Sequence, residues 1–253
     1  EAFDYEAANI APFTLPENGG ISVLDFPMRQ AMEEVFGHAR AGFERLAPAL
    51  YLEDGPYANV YDLATFYDNH DMRRLDADDA GFIDAHNWLF TVRGIPVVYY
   101  GSETGFMRGR AEHGGNRAYF GQQRIDAAPG GPIHRDLQRI ATLRRQSPAL
   151  QRGLQLNLEL QGERAAFYRV YQHGDTAQTA LVLLNKGDAQ ASMQVSQFLQ
   201  PGTWRDGFSG QALQVDQVLA AEVPAHGVRV FLFDGALTRA DLLARLAQAM
   251  EKR

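Results

Sequence analysis

Two different periodicities share this 253-residue chain, and the change between them near residue 150 limits the fold more than any other feature. Before it, short apolar runs alternate with amphipathic helical stretches. Ser22 to Phe26 reads as a strand. Pro27 to Phe43 reads as a helix, with Met28, Ala31, Met32, Val35 and Phe36 on one face and Pro27 in its first turn. Val60 to Phe66 is strand-like, and Gly81 to Val92 is helical, with Phe82, Ile83, Leu89 and Phe90 as its apolar positions and Asp78 or Asp79 placed to cap it. His134 to Gln146 forms a basic amphipathic helix ended by Pro148. Residues 1–20, with Pro12, Pro16 and Gly19-Gly20, and residues 102–132, rich in glycine and charge, read as long loops, and long loops in compact domains are usually functional.

After residue 150 the pattern becomes short β-like runs: Ala165 to Tyr171, Thr179 to Leu184, Ser192 to Phe198 and Val228 to Phe233. Turn residues separate them at His173-Gly174-Asp175, Asn185-Lys186-Gly187, Pro201-Gly202 and His226-Gly227. This predicts an antiparallel sandwich. The last stretch, Thr238 to Lys252, reads as a helix with Leu242, Leu243, Leu246 and Met250 as its stripe and Thr238 and Asp241 at capping-box spacing. The predicted division is therefore 1–148, 149–236 and 237–253.

The run Phe66-Tyr67-Asp68-Asn69-His70-Asp71 closes the strand-like stretch. In parallel α/β proteins, ligands bind at the carboxyl ends of strands. An imidazole beside a carboxylate there can grip hydroxyls and hold a negative charge, as cleavage through a positively charged sugar transition state requires. The competing reading is a turn whose Asn and Asp only cap backbone amides.

FYDNHD resembles the FxxNHD segment of the α-amylase family of glycoside hydrolases, which ends the seventh barrel strand. Gly94-Ile95-Pro96-Val97-Val98-Tyr99-Tyr100-Gly101 looks like the family's eighth strand, and Ser22-Val23-Leu24-Asp25-Phe26 like the sixth in cyclodextrin glucanotransferases. The segments follow the family's order. The resemblance covers about residues 1–147 closely and the β-rich remainder more loosely. It implies an α/β fold: the C-terminal part of a (β/α)8 TIM barrel, then an all-β antiparallel sandwich and a terminal helix. A complete barrel takes about 250 residues, and about three strand–helix units precede the β-rich region here. With Glu1 as its first residue rather than Met, the chain reads as a piece of a longer protein.

The same resemblance implies site residues. Asp71 matches the carboxylate that steadies the oxocarbenium-like transition state, and His70 matches a histidine that binds sugar hydroxyls. Glu1-Ala2-Phe3 falls where the transferases carry Gly-Glu-Trp-Phe at the end of the fifth strand. Glu1 would then be the general acid, the alternative being an exposed terminal glutamate. Phe3 would stack on an acceptor sugar or pack within the loop, and Ala2 replaces the family tryptophan. Gly114-Gly115-Asn116-Arg117 resembles the family's Asn-Asn-Arg loop, whose arginine binds a sugar. Arg117 could instead pair with Glu112 or Glu103, and His113 stands where transferases usually carry Asp.

The implied reaction is cleavage of α-glucosidic bonds in maltodextrins, cyclodextrins or starch with retention, by hydrolysis or transfer. The family's nucleophilic aspartate lies in a segment outside this chain, so the chain alone is expected to be inactive. The expected partners are an α-glucan oligosaccharide and the N-terminal half, joined to this chain or as a separate one. No cofactor or metal is assigned to this chain; the resemblance implies that calcium ligands, where a parent has them, come largely from its other half. The alternatives are a non-catalytic binding or scaffold subunit and a transglycosylase active on sucrose or trehalose.

Composition narrows the partners. A net charge of −7 without a Lys/Arg run argues against nucleic acid. No apolar stretch approaches the roughly 20 residues of a membrane span. There is no cysteine, hence no disulfide or thiolate metal site. The compartment is left open, with a periplasmic or extracellular parent favoured. His38, His86, His134, His173 and His226 show no metal-like spacing and read as structural or surface residues.

Overall fold

The computed structural model describes residues 1–249. The first 20 residues are not one open loop but three short turns of helix: α1 (Ala7–Ile10), with 3₁₀ turns at Ala11–Thr14 and Pro16–Asn18. Helix α2 spans Phe26–Phe36, with Asp25 accepting from the Met28 amide at 3.4 Å as its N-cap. Its buried Met28, Ala31, Met32, Val35 and Phe36 follow the predicted face. It stops at Gly37, short of the expected Phe43, and Phe43–Ala49 forms a separate 3₁₀ segment.

The predicted strands at 22–26, 60–66 and 94–101 are much shorter in the structure. Leu24 makes a single parallel bridge to Ala64. Strand β1 is Ala64–Thr65 and pairs in parallel with β2, Ile95–Pro96. Each strand gives up its flanks to other backbone needs. Asp25 leaves to cap α2. Val60–Asp62 winds into a 3₁₀ turn capped by Asn59. The chain turns at Gly101, whose φ is +84°.

Helix α3 (Asp79–Leu89) is capped by Asp78, which accepts from Gly81 N at 2.9 Å. The segment 102–132 is partly ordered into 3₁₀ turns at Ser102–Thr104, His113–Gly115 and Ala128–Gly130, and α4 (Gln122–Ala127). Helix α5 (Pro132–Gln146) is followed at once by α6 (Pro148–Arg152), which Ser147 caps.

The β-rich region is a six-stranded antiparallel sheet of β3 (Leu154–Gln161), β4 (Arg164–His173), β5 (Thr176–Asn185), β7 (Gly202–Asp206), β8 (Ala212–Val215) and β10 (Gly227–Asp234), in the order β3-β4-β5-β10-β7-β8. A second sheet pairs β6 (Ala191–Val195) with β9 (Leu219–Val223). The large sheet is buried on both sides. Phe167, Val182, Leu184 and Val230 join the core of Met28, Phe43 and Trp88. Tyr168, Leu181, Leu183 and Phe231 face the opposite core with Met193, Val195 and Trp204. That is why Thr179 to Leu184 is apolar without alternation.

Buried arginines tie the two regions together. Arg169 donates to the carbonyls of Gly153, Thr91 and Val92, and Arg144 to those of Phe90, Val92 and Gly94. They satisfy the carbonyls that α3 and the turn after it leave open, where a cation also suits the helix dipole. Loss of water lowers their pKa values, to about 9 for Arg169 and about 10 for Arg144.

Helix α7 (Ala240–Ala249) buries Leu242 and Leu246 against the sandwich core. The expected capping box is not made. The Thr238 hydroxyl bonds the Gln200 side chain instead, and Asp241 pairs with Arg239. Met250 and Lys252 lie outside the described residues. Among the described residues no helix is long and apolar enough to cross a membrane.

Candidate active site

Beyond β1 the chain makes a tight polar turn. Asn69 Oδ1 accepts from the amides of Asp71 and Met72, each at 2.9 Å, so this asparagine turns the backbone with its own side chain. His70 and Asp71 are thereby presented outward. Nε2 of His70 lies 3.0 Å from Asp71 Oδ2, and the two side chains are 50% and 39% exposed. Asp71 is thus not sealed beneath packed side chains.

Arg117 reaches this turn from the loop after β2. Its Nη2 lies 2.5 Å from Asp71 Oδ1, and its Nε donates to the His70 carbonyl at 2.9 Å. The guanidinium therefore takes Asp71, rather than Glu112 or Glu103, as its carboxylate partner. Glu1 completes the group. One ligand atom from each of Glu1, His70 and Asp71 falls within 4.8 Å of the others. The fold brings Glu1 to within 4.8 Å of Asp71 across 70 residues of sequence, and Arg117 to 2.5 Å from Asp71 across 46. A cation could approach these three residues, but the oxygens of Asp71 already face Arg117 and His70.

Phe3 lies outside that cluster. Its ring packs edge-on against Phe26 (4.9 Å between centroids) and Tyr5 (5.4 Å) and stays 61% exposed. One edge of the ring is therefore anchored on the small core of Phe26, Phe66 and Met72 while much of it faces solvent.

The support beneath the turn is buried and polar. Asn116, fully buried, donates through Nδ2 to the carbonyls of Asn69 at 3.2 Å and Met72 at 2.5 Å. Arg74 donates to the Asn116 carbonyl at 3.2 Å and to Ser102 Oγ at 3.1 Å, and its guanidinium lies 4.0 Å from the centre of the Tyr99 ring. Ser102 in turn donates to Asp68 at 2.8 Å. Burial pushes the Asp68 carboxyl up to about 6, against the pull of Ser102 and Arg74. Tyr67 OH meets Nε2 of the buried His86 at 2.7 Å, and burial lowers that imidazole to about 3. Asn116 stands in the GGNR run read from sequence, and its residue type was the available signal. Its partners, 44 and 47 residues away, were not deducible from spacing.

Chemically, the group offers two adjacent carboxylates open to solvent, one of them oriented by an imidazole and a guanidinium. This is a set of acceptors and donors suited to a polyhydroxylated ligand that develops positive charge.

No protein-family model matches the chain. A cyclomaltodextrin glucanotransferase of Bacillus sp. (strain 38-2) is 35% identical over 138 residues, which is 53% of this chain and 18% of that protein. The α-amylase of Geobacillus thermoleovorans, in a crystal structure with acarbose, superposes with a TM-score of 0.75 at 21% identity, covering 92% of this chain and 52% of that one. The structure of CldA, a cyclomaltodextrin glucanotransferase, superposes with a TM-score of 0.69 at 28% identity, covering 90% of this chain and 47% of that one. The chain thus spans about a fifth of the curated relatives it matches and about half of these solved chains. Its homologues, aligned over about half to three quarters of its length, are the α-amylases and cyclomaltodextrin glucanotransferases.

Proposed function

We propose that this chain contributes the acid/base carboxyl and the sugar-gripping groups of a retaining active site for α-glucans. In this reading its first 148 residues are the C-terminal part of a (β/α)8 barrel. The observation that carries the reading is the convergence of Glu1, His70 and Asp71 within 4.8 Å, with Arg117 bonded to Asp71. Glu1 protonates the departing glycosidic oxygen and then, as carboxylate, takes a proton from the incoming water or sugar hydroxyl. Asp71 places its negative charge beside the ring as positive charge develops there. Nε2 of His70 and the guanidinium of Arg117 bind sugar hydroxyls and hold the ring in register with both carboxylates. The nucleophilic carboxylate comes from a segment outside this chain, joined to it or supplied as a second polypeptide.

The test is reconstitution. Joined to or mixed with the segment bearing the nucleophile, the chain should cleave maltodextrins with retention at the anomeric carbon, read by NMR of the first products. Asp71→Asn should lower turnover by about a hundredfold or more. Turnover that survives this change would leave Asp71 a structural carboxylate and end the proposal. Products formed from maltodextrin, from sucrose and from trehalose separate the substrate classes.

A further inference from the structure

We propose that Asn116 is a positioning residue: its carboxamide holds the Asn69–Met72 turn closed and thereby delivers Arg117 to Asp71. The inference rests on the reading of Arg117 as a sugar ligand and assigns the residue that makes this ligand effective.

Asn116 touches the turn on both sides of the residues that matter. Its Nδ2 donates to the carbonyl before His70-Asp71 (Asn69, 3.2 Å) and to the one after (Met72, 2.5 Å). The two N–H bonds of a primary amide diverge in one plane, so a single side chain can satisfy two carbonyls at once. From inside the turn, Asn69 Oδ1 holds the amides of Asp71 and Met72. The turn is thus fixed through its amides by Asn69 and through its carbonyls by Asn116.

The next residue along the chain is Arg117. Its guanidinium closes onto His70 O and Asp71 Oδ1. Its backbone is held from below, because Arg74 bonds the Asn116 carbonyl and is itself fixed on Ser102, which donates in turn to Asp68. The approach is a left-handed turn, His113 having φ +61°. Arg117 itself is half exposed, and a long exposed side chain loses considerable rotamer freedom when confined to one carboxylate. Confinement needs a fixed point of departure, and the buried carboxamide one residue earlier provides it. Aspartate at 116 has the same shape but turns lone pairs toward two carbonyls. Serine keeps one donor and cannot reach both.

The experiment is a double-mutant cycle on the whole chain. Maltoheptaose is titrated by NMR into the wild type, Asn116→Asp, Asn116→Ser, Arg117→Ala and Asn116→Ser/Arg117→Ala, with a thermal melt for each. Arg117→Ala and Asn116→Asp are each expected to weaken binding by roughly tenfold or more, the scale of a hydrogen bond to a charged group. Asn116→Ser should fall between them and the wild type. In the double variant the loss should equal that of Arg117→Ala alone, because Asn116 acts through the arginine. A residue that merely stabilised the fold would lower the melting temperature and leave the two losses independent. The proposal is overturned if both Asn116 variants bind like wild type, or if the losses multiply. If Asn116→Asp does not fold, the serine cycle decides alone. A wild type that binds no maltoheptaose removes the sugar reading and this inference together. Binding lost in Arg117→Ala but retained in the Asn116 variants removes only the inference.

Discussion

Replacing His226 by asparagine should flatten the alkaline loss of stability of this protein. His226 sits in the turn between β9 and β10 and clamps the sandwich to α3. Its Nδ1 lies 2.7 Å from Asp84 Oδ2 on the helix, and its Nε2 lies 3.0 Å from Asp188 Oδ1 in the β5–β6 turn. Two carboxylates can be served only by an imidazolium, which donates through both nitrogens. The Asp84 hydrogen bond foremost, with Asp188, raises its pKa from 6.5 to about 9. A group whose folded pKa lies above its unfolded value contributes stability that is complete below about 6.5 and is lost as pH rises through about 9. The full interval corresponds to about 3 kcal/mol at 1.36 kcal/mol per pH unit. The ring is 19% exposed and Asp188 is open to water, so screening leaves about 1–2 kcal/mol. Burial pushes Asp84 up to about 6, so the ion pair is half formed near pH 6 and near pH 9 and fullest between them.

Asparagine suits the test because the backbone at 226 is left-handed, with φ +48°, a region it tolerates. Urea unfolding at pH 7 and at pH 9.5 measures the effect. The wild type should lose about 1–2 kcal/mol more than His226→Asn over that interval. The buried Arg169, lowered to about 9, titrates there too, but it bonds the carbonyls of Gly153, Thr91 and Val92 rather than this clamp, is common to both proteins and cancels in the difference. Equal pH slopes for the two proteins would refute the clamp.

Arg93 and Asp25 are fully buried and 2.5 Å apart, and Arg93 also donates to the Ala49 and Leu50 carbonyls. Arg93→Met would leave a buried carboxylate unpaired, and urea titration should show a loss of about 3–5 kcal/mol. The double change Arg93→Met/Asp25→Leu should recover part of it. Gly94 has φ +93°, and a Cβ there would stand 2.3 Å from Thr65 Oγ1, so Gly94→Ala should cost more than about 1 kcal/mol and lower the melting temperature.

Much of the helical layer was legible because its signals are local. The Asp78 cap, the apolar face of α2 and the proline in its first turn depend on residues within a turn or two of one another. The sequence pattern carries α2 past its true end because Phe43 continues the apolar register after Phe36. Yet Gly37 packs so closely that an added Cβ would meet Glu33 O at 2.5 Å, and the helix ends there. Strand β3 carries its own local signal, because Leu154, Leu156, Leu158 and Leu160 alternate cleanly. The Thr238 cap failed for the opposite reason. Its spacing was right, but Gln200, 38 residues earlier, competes for the hydroxyl.

From sequence alone came the residue types of the site and their order along the chain: a glutamate, an Asn-His-Asp turn and an arginine loop. These are matters of composition and short-range pattern. Only the tertiary structure decided that Arg117 chooses Asp71 over the nearer glutamates, that Asn116 bridges two carbonyls from a loop more than 40 residues on, and that His226, structural or surface by sequence, is a structural clamp bonded on both sides. Those choices are set by which donors and acceptors the packed fold brings within hydrogen-bond reach, and no spacing along the chain encodes that distance.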